Sequence, residues 1–126
     1  MKTTACCSLL AALLALSHGS HAAGDAERGR TIYQTRCTAC HSIDYNGTGP
    51  AHRGVFGRKA GMAPNFPYSN ALKAADLVWN EQTLDRWLTD PEKLVPGQKM
   101  GYAVADAIDR ADLIAYLKRQ AEAPRK

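Results

Sequence analysis

The amino-acid sequence predicts a small, single-domain, all-α protein of about three to five helices. Apolar side chains recur at helical spacing in the segments around residues 84 and 113, and residues suited to capping precede both segments. No segment alternates apolar and polar residues as a half-buried strand would. The chain of 126 residues suffices for one domain, but side chains alone would give that domain a thin core.

The first helix is expected to run from residue 25 to residue 36. Asp25 can cap its first turn, and Glu27 suits the positive end of the helix dipole. Tyr33 marks the buried side, and Gly29 lies four positions earlier on the same face. A glycine inside a helix costs about 1 kcal/mol relative to alanine, so we expect another helix to approach closely there.

Two further helices are expected in the middle of the chain. A short one can start at Ser69 or Asn70, and a longer one is capped by Asn80 and continues to about residue 89. The dipeptide Asp90-Pro91 is expected to end this longer helix, because the residue before a proline disfavours helical geometry.

The last helix opens at Asp106 or Asp109. Its apolar side carries Leu113, Ile114, Tyr116 and Leu117. Residues 44–70, by contrast, are so rich in glycine and proline that long regular structure is excluded. Such a long irregular segment is unusual in a compact domain, so we expect it to wrap around a support.

The N-terminus is typical of a secretory signal peptide over residues 1–22, which leaves residues 23–126 as the mature domain. Lys2 supplies the charged start, residues 9–16 are the short apolar stretch, and Ala22 is a small residue at the cleavage site. The expected location is therefore a bacterial periplasm, with no integral membrane span after cleavage. The alternative is an uncleaved segment that anchors the protein to the membrane.

The segment Cys-Thr-Ala-Cys-His at residues 37–41 carries the chemistry. Two thiols three positions apart, followed at once by an imidazole, form the attachment signature of a c-type haem. On a helical turn, Cys37 and Cys40 can each form a thioether with a haem vinyl group while His41 faces the iron. A zinc site would need a second ligand pair, and a redox dithiol would need a βαβ context. The sequence shows neither, so one haem c per chain is the expected cofactor.

The second axial ligand of the iron has three candidates once residues 1–22 are removed: Met62, Met100 and His52. Met100 follows a Pro-Gly turn in an irregular segment between two helices, which can present a thioether sideways into a pocket. Met62 lies in the glycine-rich loop and can be a surface residue. The residues alone favour Met100 and leave the other two open.

The mature chain resembles class I cytochrome c over nearly its whole length. The matching motifs are Cys-Thr-Ala-Cys-His (37–41), Gly-Pro (49–50), Gly-Val-Phe-Gly-Arg-Lys-Ala-Gly (54–61), Tyr-Ser (68–69), Leu-Val-Trp (77–79), Leu-Thr-Asp-Pro (88–91), Val-Pro-Gly-Gln-Lys-Met (95–100) and Arg-Ala-Asp-Leu-Ile-Ala-Tyr-Leu (110–117). The resemblance implies a helical fold wrapped around one covalent haem, with His41 and Met100 as axial ligands.

The resemblance also implies roles for residues around the haem. The Pro50 carbonyl would accept a hydrogen bond from His41 and fix its tautomer. Arg58, Tyr68 and Trp79 would surround the haem propionates. Trp87 stands where many relatives have a tyrosine that bonds the methionine sulfur. His52 departs from the family pattern and brings a polar ring close to the haem.

The charge pattern bears on partners. The net charge of +4 is too small to indicate nucleic-acid binding, and no run of Lys and Arg forms a patch. Relatives carry a ring of lysines around the exposed haem edge. By this resemblance, the residues of this chain that keep a positive charge in that ring are Arg36, Lys93 and Lys99. Glu92 and Asp106 occupy positions that are often lysine.

The expected function is electron transport in a respiratory chain by a monomeric carrier, not an enzyme. The carrier would take electrons from a quinol-oxidising complex or a dehydrogenase, and pass them to a terminal oxidase or a photosynthetic reaction centre. A peroxidase-like haem enzyme with a displaceable sixth ligand is the first alternative, which His52 keeps open. An electron-entry subunit of a larger oxidoreductase is the second.

Overall fold

A computed structural model describes residues 23–124. Its helices are α1 (Ala26–Arg36), α2 (Asn70–Ala74), α3 (Glu81–Thr89), α4 (Pro91–Leu94) and α5 (Ala107–Glu122). Within this range the only β pairing is an isolated bridge between Lys59 and Val78. The all-α prediction is confirmed. The predicted signal peptide lies outside the described residues.

Helix starts follow the predicted caps. The Asp25 carboxylate accepts hydrogen bonds from the backbone N–H groups of Glu27 and Arg28 at the start of α1. Asn80 and Thr83 form a reciprocal capping box on α3. The starts of the other two predicted helices are likewise capped, α2 by Ser69 and α5 by Asp106. Each cap satisfies backbone donors that lack a partner within the helix.

Helix α4 was not predicted from the sequence. Asp90-Pro91 does end α3, as expected, but Pro91 is also the first residue of the next helix. Proline is well suited to a first helical position, because that position needs no N–H donor and the fixed φ is already helical. Asp90 caps the new helix by accepting a hydrogen bond from Lys93 N.

Helices α1 and α5 cross in close contact at Gly29. A Cβ atom added there would lie 1.9 Å from the Asp112 carbonyl oxygen, so only glycine allows this approach. Beside the crossing, the rings of Tyr33 and Tyr116 pack with their centroids 5.2 Å apart. The expected close approach of a second helix at Gly29 is confirmed.

A buried carboxylate also joins the two helices. Asp112 is 1% exposed, and its carboxylate accepts hydrogen bonds from Arg28 and from Asp25 N.

The irregular segment 44–70 is fastened to the residues that precede α3. Gly57 N donates to Trp79 O at 2.7 Å, Trp79 N donates to Arg58 O at 2.9 Å, and Ala60 N donates to Leu77 O at 2.9 Å. Trp79 is thereby buried against the rest of the core. In the part of the chain that the structure describes, no helix has both the length and the apolar character needed to cross a membrane.

Candidate functional site

The thiols and imidazole of residues 37–41 share a turn that continues from α1. Cys37 N donates to Tyr33 O at 2.9 Å, and His41 N donates to Cys37 O at 2.9 Å, so the chain keeps a helical pitch through the motif. Cys37 is partly buried, Cys40 is exposed, and both are free thiols. This arrangement leaves both sulfurs available to a haem lying over the turn.

The environment of Cys37 is unlike that of a redox dithiol. Burial raises the pKa of its thiol to about 11, whereas reactive dithiol cysteines have lowered pKa values. Within residues 23–124, no group of three or more His, Cys, Asp and Glu residues could hold a metal ion. A zinc site around Cys37 and Cys40 therefore lacks further ligands among these residues.

The ring of His41 is held from two sides. Its Nδ1 lies 2.9 Å from the carbonyl oxygen of Pro50. A carbonyl can only accept, so Nδ1 carries the proton and Nε2 presents a lone pair. Gly49 makes room for this ring, since a Cβ there would lie 2.2 Å from His41 Cε1. Burial lowers the pKa of His41, which favours the neutral imidazole that can bind a metal.

His52 lies against the face of His41. The two rings stack with centroids 4.0 Å apart and an angle of 20° between their planes. His52 Nδ1 lies 3.1 Å from the hydroxyl oxygen of Tyr33, which connects it to the α1–α5 crossing. Sequence reasoning missed both contacts. If His41 held a haem iron, a ring stacked on it would lie on the same side of the site, so His52 would be poorly placed to supply a second ligand.

The two methionines differ in burial. The side chain of Met62 is 62% exposed at the surface of the glycine-rich loop. Met100 is partly buried and packs against the core cluster, which includes Trp87 and Val95. Of the two, Met100 is therefore the one whose thioether lies against the interior.

The residues expected near the propionates lie together. Two nitrogens of Arg58 donate to Arg53 O and Ala51 O, at 3.0 and 3.1 Å. Its third nitrogen, Nε, is buried without a hydrogen-bond partner among the described residues. Burial lowers the pKa of Arg58, and nearby Tyr68 opposes part of that shift.

A buried donor on a cation is costly unless an acceptor reaches it. A haem propionate is an acceptor with the complementary charge, so the vacant Nε donor fits the expected cofactor. Trp79, whose backbone is paired with that of Arg58, completes the cluster.

Trp87 is buried and packs edge to face on Trp79, with ring centroids 5.2 Å apart. A hydrogen bond from its indole N–H to the sulfur of Met100 remains a prediction. The pair of indoles supplies a large apolar wall beside the site.

The three expected docking cations differ in their surroundings. Arg36 is paired with Asp109 at 2.8 Å, so its charge is compensated locally. Lys93 and Lys99 are exposed, and no carboxylate within residues 23–124 forms an ion pair with either. The ion pair of Arg36 was not foreseen from the sequence, because its partner is far away along the chain.

Sequence reasoning also missed a set of polar contacts before Met100. The Glu92 carboxylate accepts hydrogen bonds from Gly97 N at 2.8 Å and from Gln98 Nε2 at 3.3 Å. Gln98 Oε1 in turn accepts a hydrogen bond from Met100 N. In the sequence, this set corresponds only to a glutamate four residues before a Pro-Gly turn and a glutamine directly after that turn.

The fold and the turn at residues 37–41 define a class: a small helical protein of the c-type haem kind. The sequence profile of the Cytochrome c family matches residues 26–121. The chain is 48% identical over 98 residues to cytochrome c of Euglena viridis, covering 75% of this chain and 96% of that protein. It is 39% identical over 117 residues to cytochrome c2 of Rhodomicrobium vannielii, covering 90% of this chain and 93% of that protein.

A solved structure agrees with these relatives. Cytochrome cH from Methylobacterium extorquens superposes with a TM-score of 0.73 and 44% identity, covering 76% of this chain and 99% of that one. The chain therefore belongs to the cytochrome c family. Members of this family are electron carriers with a covalently bound haem c. Membership in the family confirms the predicted fold, the predicted haem cofactor and the prediction of an electron carrier rather than an enzyme.

Proposed function

We propose that this chain is a periplasmic carrier of single electrons, with one haem attached through Cys37 and Cys40 and ligated by His41 and Met100. The observation that carries the proposal is the fixed orientation of the His41 ring, whose Nδ1 proton faces Pro50 O and whose Nε2 is left for the iron. When bound, the haem supplies a one-electron couple at that iron.

The choice of Met100 as the second ligand rests on burial. Met62 is exposed, and His52 is stacked on the ring of the first ligand. A thioether ligand raises the reduction potential relative to a second imidazole, and an apolar wall raises it further. With both axial positions filled by side chains, the site has no open position for a substrate. This arrangement suits electron transfer and disfavours peroxidase chemistry.

The test of the ligand assignment is the weak near-infrared sulfur-to-iron band of the oxidised protein. Met100→Ala should abolish this band, lower the potential and let imidazole bind the iron readily. Met62→Ala is the matched control and should change none of these. If His52→Ala alone removed the sixth ligand, a bis-histidine site would replace the one proposed.

The proposed partners are membrane redox complexes. A quinol-oxidising complex or a dehydrogenase would supply electrons, and a terminal oxidase or photosynthetic reaction centre would accept them. Lys93 and Lys99 are exposed and have no ion pair within residues 23–124, which supports an acidic docking face on such partners, because complementary charge speeds encounter. A pull-down from periplasm separates a free monomeric carrier from a subunit of a larger oxidoreductase: the subunit would copurify with fixed stoichiometry.

The proposed location rests on the signal-like residues 1–22. Mass spectrometry of the purified protein should find a mature N-terminus at Ala23 and one covalently attached haem. An intact segment from Met1 to Ala22 would instead support a membrane-anchored form.

A further inference from the structure

The segment that carries Met100 is lightly held. Backbone hydrogen bonds hold the two ends of this segment: Gln98 N donates to Val95 O at 3.1 Å, and Val104 N donates to Leu88 O at 2.7 Å. Between these two bonds, no backbone group of residues 99–103 forms a hydrogen bond with another described backbone group. Among the described residues, the one hydrogen bond of this stretch is from Met100 N to the side chain of Gln98. The position of the Met100 backbone therefore depends on where the Gln98 amide is held.

Glu92 holds that amide. Its Oε2 accepts from Gln98 Nε2, and its Oε1 accepts from Gly97 N in the turn before Gln98. Glu92 itself belongs to α4, which is anchored by buried Pro91. A continuous chain of hydrogen bonds thus runs from a fixed helix, through one carboxylate and one amide, to the backbone of Met100. We call these two side chains, Glu92 and Gln98, the Glu92–Gln98 clamp.

We propose that Glu92 is a positioning residue for Met100, acting through Gln98. The inference rests on the proposed ligation of iron by Met100. A carboxylate is suited to this task, because it accepts from two donors at once and its hydrogen bonds are charge-assisted. By restricting the segment, the clamp keeps the thioether at the iron and limits the openings through which another ligand can replace it. Glu92 does not touch the iron site itself.

The experiment measures imidazole binding to the oxidised holoprotein by stopped-flow spectroscopy. Replacement of Met100 by imidazole requires the segment to open, so the rate reports the opening equilibrium. Glu92→Ala and Gln98→Ala should each raise the rate by about tenfold, equivalent to ~1.4 kcal/mol in the opening free energy. Glu92→Gln should give a smaller rise, because it keeps the acceptor for Gly97 N but presents an amide to Gln98 Nε2.

The controls separate positioning from general stability. Glu122→Gln removes the same charge at an exposed position of α5 and should leave the rate unchanged. The guanidinium midpoint followed by helical circular dichroism should stay near that of the wild type in all clamp variants, since the two contacts of Glu92 are exposed and the contact of Gln98 with Met100 N is only partly buried. The double variant Glu92→Ala with Gln98→Ala should be no faster than Glu92→Ala alone, because Glu92→Ala already removes the acceptor of both Gly97 N and Gln98 Nε2.

The outcomes distinguish this inference from the ligand assignment. If the sulfur-to-iron band is present and depends on Met100, but Glu92→Ala binds imidazole at the wild-type rate, the clamp is overturned and the proposed ligation stands. Additive effects in the double variant would also overturn it. If Met100→Ala leaves the band unchanged, the ligand assignment fails, and the clamp fails with it.

Discussion

The two proposed axial ligands lie in regions that are fastened to the fold in opposite ways. His41 belongs to residues 37–53, the proximal segment, where hydrogen bonds between backbone groups recur: Gly49 N to Cys40 O at 2.8 Å, His52 N to Ser42 O at 2.9 Å and Arg53 N to Ile43 O at 2.8 Å. Met100 belongs to residues 95–104, the methionine segment, where residues 99–103 form a single hydrogen bond with other described residues, from Met100 N to a side chain.

This difference indicates a division of labour. The proximal segment fixes the ring of His41 through Pro50, Gly49 and the stacked His52, so little movement is available to it. The part of the methionine segment between the buried residues Val95 and Val104 can be displaced at the cost of few hydrogen bonds, and local openings of this kind are drawn from the weakly held parts of a fold. We therefore expect the iron to lose Met100 well before it loses His41.

Removing the covalent attachment of the haem should have the largest effect on stability, because both segments would then lose the cofactor that they are proposed to bind. Cys37→Ala combined with Cys40→Ala should yield a largely unfolded chain, since a cofactor that binds only the folded state supplies much of the stability of a thin core. Circular dichroism of the purified variant checks this. In the wild type the haem should stay with the chain after acid–acetone extraction, and its release would contradict covalent attachment.

A pair of glycine substitutions sharpens the comparison between the segments. In Gly49→Ala the new Cβ would meet the His41 ring at 2.2 Å, so we expect a loss of roughly 1–3 kcal/mol in the free energy of unfolding. In Gly101→Ala nothing lies within 4 Å of the new atom, and the change should stay within about 1 kcal/mol of the wild type. Guanidinium unfolding of both variants provides the measurement. Equal losses would argue against a tightly fitted proximal segment and an open methionine segment.

The methionine segment is also expected to be the docking side, since Lys93 lies just before it and Lys99 within it, and neither forms an ion pair within residues 23–124. Lys99→Glu should slow electron transfer to a terminal oxidase a few-fold at low salt, and leave the potential nearly unchanged. The difference should fade as salt rises, because the Debye length is about 8 Å at physiological ionic strength. Stopped-flow kinetics across ionic strength provides the test, with Lys73→Glu on α2 as the matched charge reversal, because Lys73 is also an exposed lysine without an ion pair within residues 23–124. If the two variants slow transfer equally, docking does not use the methionine segment.

The smallest effect concerns acid sensitivity at the start of α1, which supports the proximal segment. Hydrogen bonds from Arg28 N and Glu27 N hold the pKa of Asp25 below its ordinary value of 3.8. This contribution to stability is complete above that value and is lost as the pH falls below it, since the folded state must then take up the proton. Asp25→Asn keeps a good cap that does not titrate, so its unfolding midpoint should depend less on pH below about 4. Identical acid profiles would show that Asp25 does not contribute.

The sequence predicted those features of the fold that depend on residues close together in the chain, above all the helix starts. The caps at Asp25 and Asn80 were predicted as single residues, and Ser69 and Asp106 were each one of two predicted candidates. All four are set by residues within a few positions of the helix start. Helix α4 was missed because Asp90-Pro91 serves as a stop signal and a start signal at once, and only the path of the chain beyond it distinguishes the two.

Contacts between distant residues could not be predicted from the residues alone. The stack of His52 on His41 and the hydroxyl of Tyr33 beside it depend on how the loop after His41 folds back over α1. The same holds for the ion pair of Arg36 with Asp109, which joins α1 to α5. The close approach at Gly29 was the exception, because a glycine inside a helix is itself a local signal of a crowded face.

We infer that the methionine segment opens independently of the proximal segment. The most direct test is a guanidinium titration of the oxidised holoprotein that follows the sulfur-to-iron band and helical circular dichroism in the same samples. We predict that the band disappears at a clearly lower guanidinium concentration than the helical signal, with His41 still bound in the interval. Coincident loss of the two signals would show that both segments unfold as one unit and would contradict the claim.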